Sequence, residues 1–509
     1  MSKLSEILRG QSYGVVFTPV NTVLAITAFF FLYYLKQRFF GPLRHLPGPW
    51  WSHYTQFPDT LHTFSGNRSL YIHSLHEKYG DTLRLGPNTV GVTGQEGVKT
   101  IFGGGSKRPF HKEPVITEML NFGRTFEETM AGTADPVSSS KRRMMYGNAY
   151  SRGSVLNMQD IYQKCFMNFI ARIEESRKNS QDGIIGVTPY FRAMAYDVLT
   201  EAAFGGLCKG TEYGTDAVGI MDNVMNANLF QWYFGTFIYN LTMKIPWKKL
   251  DWIRSKEEYL QATQEVVSVY QSNVKAHPDR VRKDLLGNLI LNNLDPKKLY
   301  HEAYGNIWAG TDTTTNTLGV LMLAIVRHPR IYKNLVAELD RAFPPGEYVP
   351  FAPMELQKLE TECPYLTCCI KECLRRYPLI PGPSPRIVPK EGTNINGWFV
   401  PGNATIFAQT YTTNHNAKIF PNPKMYIPER WQAGKETAEM KAMMTSFGSG
   451  PRICAGENLA MMELHCATAL LFRNYVVSIP DGYDNDHVEF WITTPKGGSI
   501  FLRIEPREV

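Results

Sequence analysis

The sequence predicts a mainly α body with small β sheets, preceded by one N-terminal transmembrane helix. Three observations carry this. Long segments repeat apolar residues at three and four spacing, the pattern of helices with a buried face. Strand-like runs are short and scattered. Residues 15–35, "VVFTPVNTVLAITAFFFLYYL", hold no charged residue over a length that crosses a bilayer. With 509 residues, 43% apolar and 20% charged, the chain can bury a large core, which excludes disordered and collagen-like classes. The net charge of +7 is spread without a Lys/Arg run, so no nucleic-acid partner is indicated.

A flank, 1–14, leads into the anchor at 15–35, whose first turn is weakened by Pro19 and Asn21. A cleaved secretory signal is the rival reading. Against it, the apolar stretch is longer than such a signal needs, no small-residue cleavage site follows, and the stretch ends in the interfacial edge "YYLKQRFF". Residues 36–50, with most of "GPLRHLPGPWW", predict a stiff Pro/Gly hinge. Lys36, Arg38 and Arg44 outweigh Lys3 and Arg9, a bias that puts the body in the cytosol. The membrane is therefore one expected partner.

Residues 51–509 read as one domain without linker or repeat. Helices are predicted at "SLYIHSLHEKYG", "IYQKCFMNFIARIEESRKN", "YFRAMAYDVLTEAAFG", "KKLYHEAYGNIWAGTDTTTNTLGVLMLAIVRHP" and "IYKNLVAELDRAF". Strands are predicted at "DTLRLG", "NTVGVTG", "TNINGWFVPGNATIFA" and "GSIFLRIEP". Eight cysteines in so long a chain make no disulfide scaffold and indicate a reducing compartment. Four of them crowd into "CPYLTCCIKEC", where Cys369 and Cys373 share a helix face. A zinc site there is conceivable, but no second ligand pair lies nearby.

The chemistry concentrates in "FGSGPRICAGENLAMMELHCATALLF". An isolated cysteine is most often a buried hydrophobe. Cys454 instead precedes a helix N-terminus, where unpaired N–H groups and the helix dipole favour a thiolate. Gly448 and Gly450 permit a tight turn, Gly456 lets a flat partner approach, Phe447 can shield the sulfur, and Arg452 can pair with a carboxylate on that partner. These features suit a haem ligated by cysteine.

"FGSGPRICAG" resembles the haem-binding signature of the cytochrome P-450 monooxygenases, with Phe447, Gly450, Arg452, Cys454 and Gly456 in register. Further landmarks follow in the family's order over nearly the whole chain. The resemblance implies the cytochrome P-450 fold and heme b with Cys454 as axial iron ligand. In "AGTDTT" it implies that Ala309 and Gly310 open a groove for dioxygen while Asp312 and Thr313 pass protons. On the same helix face, Glu302 and Asn306 look toward the distal pocket. "KECLRRYP" and "PERW" imply a buried network of Glu372, Arg375 and Arg430; "PRIVP" supplies Arg386 as a haem contact. "SSSKRRMMYG" is similar to the family's third conserved helix, with Arg143 for a propionate and Ser139 where a Trp or His is usual. Phe122, Phe126, Trp308 and Phe490, with Glu302 and Asn306, are the implied substrate pocket, suited to an apolar ligand bearing an oxygen function.

The expected function is a monooxygenase acting on an apolar organic substrate by hydroxylation, epoxidation or successive oxidation. Resemblance to fungal members points to terpenoid, polyketide or alkaloid secondary metabolism. Expected partners are dioxygen, membrane lipid and a reductase that brings NADPH-derived electrons through its flavins, docking near Lys141, Arg142 and Lys441. A single-pass endoplasmic reticulum anchor is implied. Two alternatives stay open: a reductase-independent isomerase or dehydratase on the same haem, and a haem protein that only binds gas.

Overall fold

The computed structural model describes residues 19–507 apart from 103–109, 122–127, 206–226, 228–229, 232–234, 236, 246, 279–283, 345–348 and 490. Its first helix runs Pro19–Phe40, with Phe29, Phe30, Phe31 and Leu32 each more than half exposed. Nothing before Gly41 interrupts the helical backbone, so the helix continues five residues past Leu35 and carries Lys36 and Arg38 on its last turns. The predicted hinge shortens to 41–50, and it is docked. Leu43 and Leu46 are buried with Val90, Val92 and Val98, and Arg84 donates to Leu43 O at 2.9 Å through its side chain and to Pro47 O at 2.7 Å through its backbone. Pro-rich backbone has few donors of its own, and a buried guanidinium answers its free carbonyls.

The strands, in chain order, are β1 (Thr82–Gly86), β2 (Thr89–Val92), β3 (His111–Lys112), β4 (Ile184–Gly186), β5 (Arg386–Ile387), β6 (Thr393–Ile395), β7 (Trp398–Val400), β8 (Thr405–Ala408), β9 (Tyr475–Ser478), β10 (His487–Glu489), β11 (Thr493–Pro495) and β12 (Phe501–Pro506). They form one five-stranded sheet in the order β1-β2-β8-β5-β3, the three-stranded sheet β4-β12-β9, and the pairs β6-β7 and β10-β11. Every predicted strand segment lies in one of them. The five predicted helices occur as Arg68–Tyr79, Gln159–Asn179, Thr188–Phe204, Pro296–Val326 and Pro329–Ala342.

The 31-residue helix Pro296–Val326 crosses the main core and is called here the central helix. Asp295 caps it, accepting from Lys297 N at 2.9 Å, and Pro296 occupies a first-turn position where no N–H is missed. From Thr314 to Ile325 every residue is buried, so this half is sequestered all round. Packed against it are the helix Thr188–Phe204 and the helix Glu457–Asn474, the latter called the cysteine helix. The "CPYLTCCIKEC" thiols are core residues: Cys363, Cys369 and Cys373 join the main cluster and Cys368 a second one, with burial pushing each thiol upward. Among the described residues no group of three or more His, Cys, Asp or Glu is arranged to hold a metal ion.

Candidate active site

The cysteine turn closes when Cys454 N donates to Phe447 O at 2.8 Å. Gly448 and Gly450 hold φ of 78° and 69°, left-handed values that L side chains resist, so the "GSG" of the motif is a backbone requirement. Cys454 is exposed to solvent although protein encloses it, so its sulfur opens into an internal cavity. Gly456 has ordinary φ of −82°, and a Cβ built there meets no protein atom within 4 Å. Neither backbone nor packing demands this glycine; a side chain would protrude into free space. The helix start acts in the expected direction through the Gly456 N–H, but in the protein alone burial outweighs it. Burial, the largest influence, raises the Cys454 thiol above its ordinary value, and the Gly456 N–H and Arg143 oppose this without overcoming it. A coordinated metal removes such a proton outright.

On the central helix Ala309 is exposed and Thr313 half-buried amid a core-packed element, which marks them as cavity wall. Thr313 Oγ1 donates to Ala309 O at 2.7 Å. Gly310 serves a different purpose from the expected groove: a Cβ there would lie 2.8 Å from Leu199 Cδ2, so its side faces the helix Thr188–Phe204. Asp312 also turns that way. Its Oδ1 lies 3.2 Å from Arg192 Nε, both side chains 7% exposed, so acid and alcohol occupy different faces of the helix. Neighbouring Thr314 donates to Glu463 Oε2 of the cysteine helix at 3.1 Å, and burial holds that carboxyl well above the usual range.

Glu302 and Asn306 do not offer polar groups to a ligand. Glu302 accepts from Arg142 Nη1 at 2.9 Å, from Tyr146 OH at 2.9 Å and from Met130 N at 3.1 Å. Tyr146, its proton given to Glu302, must accept from Asn306 Nδ2 at 2.7 Å, which turns Asn306 Oδ1 toward Tyr150 OH at 2.9 Å. Burial, and then the charge of a Cys454 thiolate, hold the Tyr150 phenol far above its ordinary value, so it stays a donor. Arg142, expected on an outer docking face, is turned inward by this network. Trp308 is half-buried against the main core. Phe122, Phe126 and Phe490 lie outside the described residues.

The three expected carboxylate-binding arginines converge near the cysteine turn. Arg452 donates to Thr133 O and Ala134 O at 2.7 and 2.6 Å, Arg143 to Ile453 O, and Arg386 to Pro385 O at 3.0 Å. Among the described residues none makes an ion pair, although Asp135 favours the charge on Arg452, and burial lowers Arg386 to about 10. Ser139 is buried and brings no ring donor. Glu372 and Arg375, each 0% exposed, pair through two bonds of 2.8 and 2.9 Å, and Arg430 Nε reaches Glu372 Oε1 at 3.1 Å. Trp431 Nε1 and Ile427 N complete the carboxylate at 2.8 and 2.9 Å.

The family model described as cytochrome P450 (written P-450 here) matches residues 43–502, most of the chain. The chain belongs to the cytochrome P-450 family. Among its relatives is cytochrome P-450 monooxygenase tazI of Aspergillus terreus, 30% identical over 91% of this chain and 94% of the relative. Cytochrome P-450 monooxygenase aflV of Aspergillus parasiticus is 28% identical over 86% of each chain, and tryprostatin B 6-hydroxylase of Aspergillus fumigatus 27% over 88% and 78%. This P-450 is a haem-thiolate monooxygenase whose electrons come from a reductase and whose co-substrate is dioxygen. Its residues fit the haem: a thiol facing a cavity, a glycine whose Cβ would enter open space, and buried or half-buried arginines that make no ion pair among the described residues. Sequence reading missed Arg192, Tyr146, Tyr150, Glu463 and Trp431. Only Trp431, beside Arg430 in "PERW", had a local signal.

Proposed function

We propose that this P-450 inserts one oxygen atom into an apolar secondary-metabolite scaffold of the terpenoid, polyketide or alkaloid class, by hydroxylation, epoxidation or successive oxidation. The observation that carries the reading is Cys454, enclosed by protein yet open to an internal cavity. Haem bound there supplies the redox chemistry that activates dioxygen. Arg143, Arg386 and Arg452 hold its carboxylates, Phe447 shields the sulfur, and Ala309 leaves room above. Thr313 holds a proton at Oγ1 and delivers it by rotating away from Ala309 O; Asp312, ionised while it faces Arg192, takes up a proton from water when it swings off and passes it to Oγ1. Trp308 gives the substrate an apolar wall. Because Glu302 and Asn306 are spent on Arg142 and the two tyrosines, the substrate needs no oxygen function to match them.

The helix Pro19–Phe40 anchors the enzyme in the endoplasmic reticulum membrane with its body cytosolic. Phe57, Leu61 and Phe64, and separately Phe237, Leu241 and Trp247, are each more than half exposed and dip into lipid beside it. The flavoprotein reductase meets exposed Lys141 and Lys441, the latter 3.3 Å from Glu436. The test is titration of purified enzyme with compounds of the three classes, followed by turnover with NADPH and reductase. A Soret shift and one oxygenated product are expected; product formation under nitrogen from an already oxidised compound would move the enzyme to the isomerase class.

A further inference from the structure

Tyr146 and Tyr150 stand between the central helix and the start of the cysteine helix, their ring centroids 5.5 Å apart and their planes tilted by 43°. Asn458, four residues after Cys454, donates from Nδ2 to Tyr150 O at 2.9 Å, and Arg143 donates to Ile453 O. The segment is thus tied to the cysteine turn on both sides. After burial, the charge of Cys454 is the next influence on the Tyr150 phenol, which sets this ring nearer the sulfur's field than its partner. The two phenols differ in what they can do with a proton. Tyr150 OH faces Asn306 Oδ1, a neutral amide oxygen that takes none. Tyr146 OH lies 2.9 Å from Glu302 Oε2, within transfer distance of a carboxylate that Arg142 holds in place at 2.9 Å. Tyr146 is also sealed from solvent at 1% exposure. Removing an electron from an enclosed phenol leaves a positive charge there, which is costly unless the proton leaves with it. Of the pair, Tyr146 meets that condition and Tyr150 does not, so Tyr150 suits passage of an electron and Tyr146 its source.

We propose that Tyr150 and Tyr146 form a one-electron relay that draws oxidising equivalents off the haem when no substrate consumes them. This rests on Cys454 as the iron ligand. Tyr146 gives one electron through Tyr150 to the haem, and its phenolic proton passes to Glu302. The phenol O–H bond breaks, a carboxyl O–H bond forms, tyrosine becomes a neutral tyrosyl radical and the haem is reduced by one electron. An electron delivered by the reductase through the haem, with the proton returning from Glu302, restores the phenol. The test uses purified haem-loaded full-length enzyme without substrate, mixed with peracetic acid and frozen at successive times: wild type, Tyr146→Phe, Tyr150→Phe and Glu302→Gln. Readouts are the electron paramagnetic resonance signal of the radical, with ordinary and with ring-deuterated tyrosine in the protein, and the carbon monoxide difference band before mixing. The wild type gives a radical signal that deuterated tyrosine narrows. Tyr146→Phe lowers its yield roughly tenfold and Tyr150→Phe slows its appearance by a similar factor. Glu302→Gln keeps a hydrogen-bond acceptor but no base, and slows the radical roughly a hundredfold, the lower end of what a positioned base contributes. The carbon monoxide band, which reports Cys454, keeps its position in all four. Equal yields in wild type and Tyr146→Phe, or an unchanged rate in Glu302→Gln, would show that the network only holds elements together and would overturn the proposal. If Tyr146→Phe does not accumulate, the other two variants decide, and an unchanged rate in either overturns it. A wild type with the thiolate-type band but no tyrosine radical sinks the relay alone; a wild type without that band removes Cys454 as ligand and the relay with it.

Discussion

Single side chains decide the chemistry, and each decision has a separable readout. Cys454→Ala is expected to abolish the thiolate-type carbon monoxide band and all turnover; a variant that kept the band would move the ligand elsewhere, Cys466 being the nearest cysteine in sequence. Thr313→Ala keeps the helix, since alanine is the better helix former, and removes the hydroxyl that donates to Ala309 O. Substrate binding persists while more of the NADPH and oxygen consumed ends as hydrogen peroxide. Wild-type coupling in this variant would take Thr313 out of proton delivery. Glu372→Ala leaves Arg375 and Arg430 as buried charges without their carboxylate, a loss of about 3–5 kcal/mol measurable by denaturant unfolding.

Elements are held in register by polar groups that no local pattern announces. Glu302 ties the central helix to Arg142 and Tyr146 of the third conserved helix and to Met130 before it. Glu302→Ala strands these donors and should cost about 1–3 kcal/mol, whereas a ligand-contacting role would change substrate affinity and leave stability alone. The same geometry separates docking from folding. Charge reversal at Lys141 and Lys441 should slow reductase electron transfer and weaken its salt dependence, while Arg142→Glu should lower stability first. Glu174 joins the helix Gln159–Asn179 to β9 through Tyr475 OH at 3.0 Å. Arg177, its strongest influence, and then Tyr475 hold its carboxyl down at about 2. A depressed acid stabilises the fold above its unfolded value near 4.5, and that contribution is lost as pH falls through about 2. Glu174→Gln should therefore lower stability near neutrality, flatten the acid limb of the stability curve and converge with the wild type at the lowest pH.

At the scale of the whole molecule, the exposed apolar helix and the body are expected to be separable, although the chain between them is docked on the body. Deleting residues 1–40 removes the exposed apolar helix and spares Leu43 and Leu46, which belong to the packed body. The truncated enzyme should take up haem normally and shift partly to the soluble fraction, retaining some membrane affinity through its exposed aromatic residues. Deleting residues 1–50 removes Leu43, Leu46 and the carbonyls that Arg84 binds, and should impair haem uptake as well. Equal behaviour of the two truncations would contradict the docked reading of 41–50.

The sequence by itself determined the fold class, the extended landmarks and the cysteine. Helical and strand periods repeat locally, and a ten-residue turn whose glycines need left-handed backbone reads the same in any context. It indicated Glu372 with Arg375 only through the order of the family's landmarks, since the same three-residue spacing recurs at Glu174 with Arg177 and at Glu338 with Arg341. Only the tertiary structure decided where Glu302, Asn306, Asp312 and Gly310 face. A helical period fixes an angle around the axis but not which neighbour stands there, and here Arg142, Tyr146, Arg192 and Leu199 come from segments more than a hundred residues away. Lys112 is the extreme case. Nothing in "FHKEP" marks it, and only the pairing of β3 with β5 sets it directly opposite Arg386, 274 residues further along the chain.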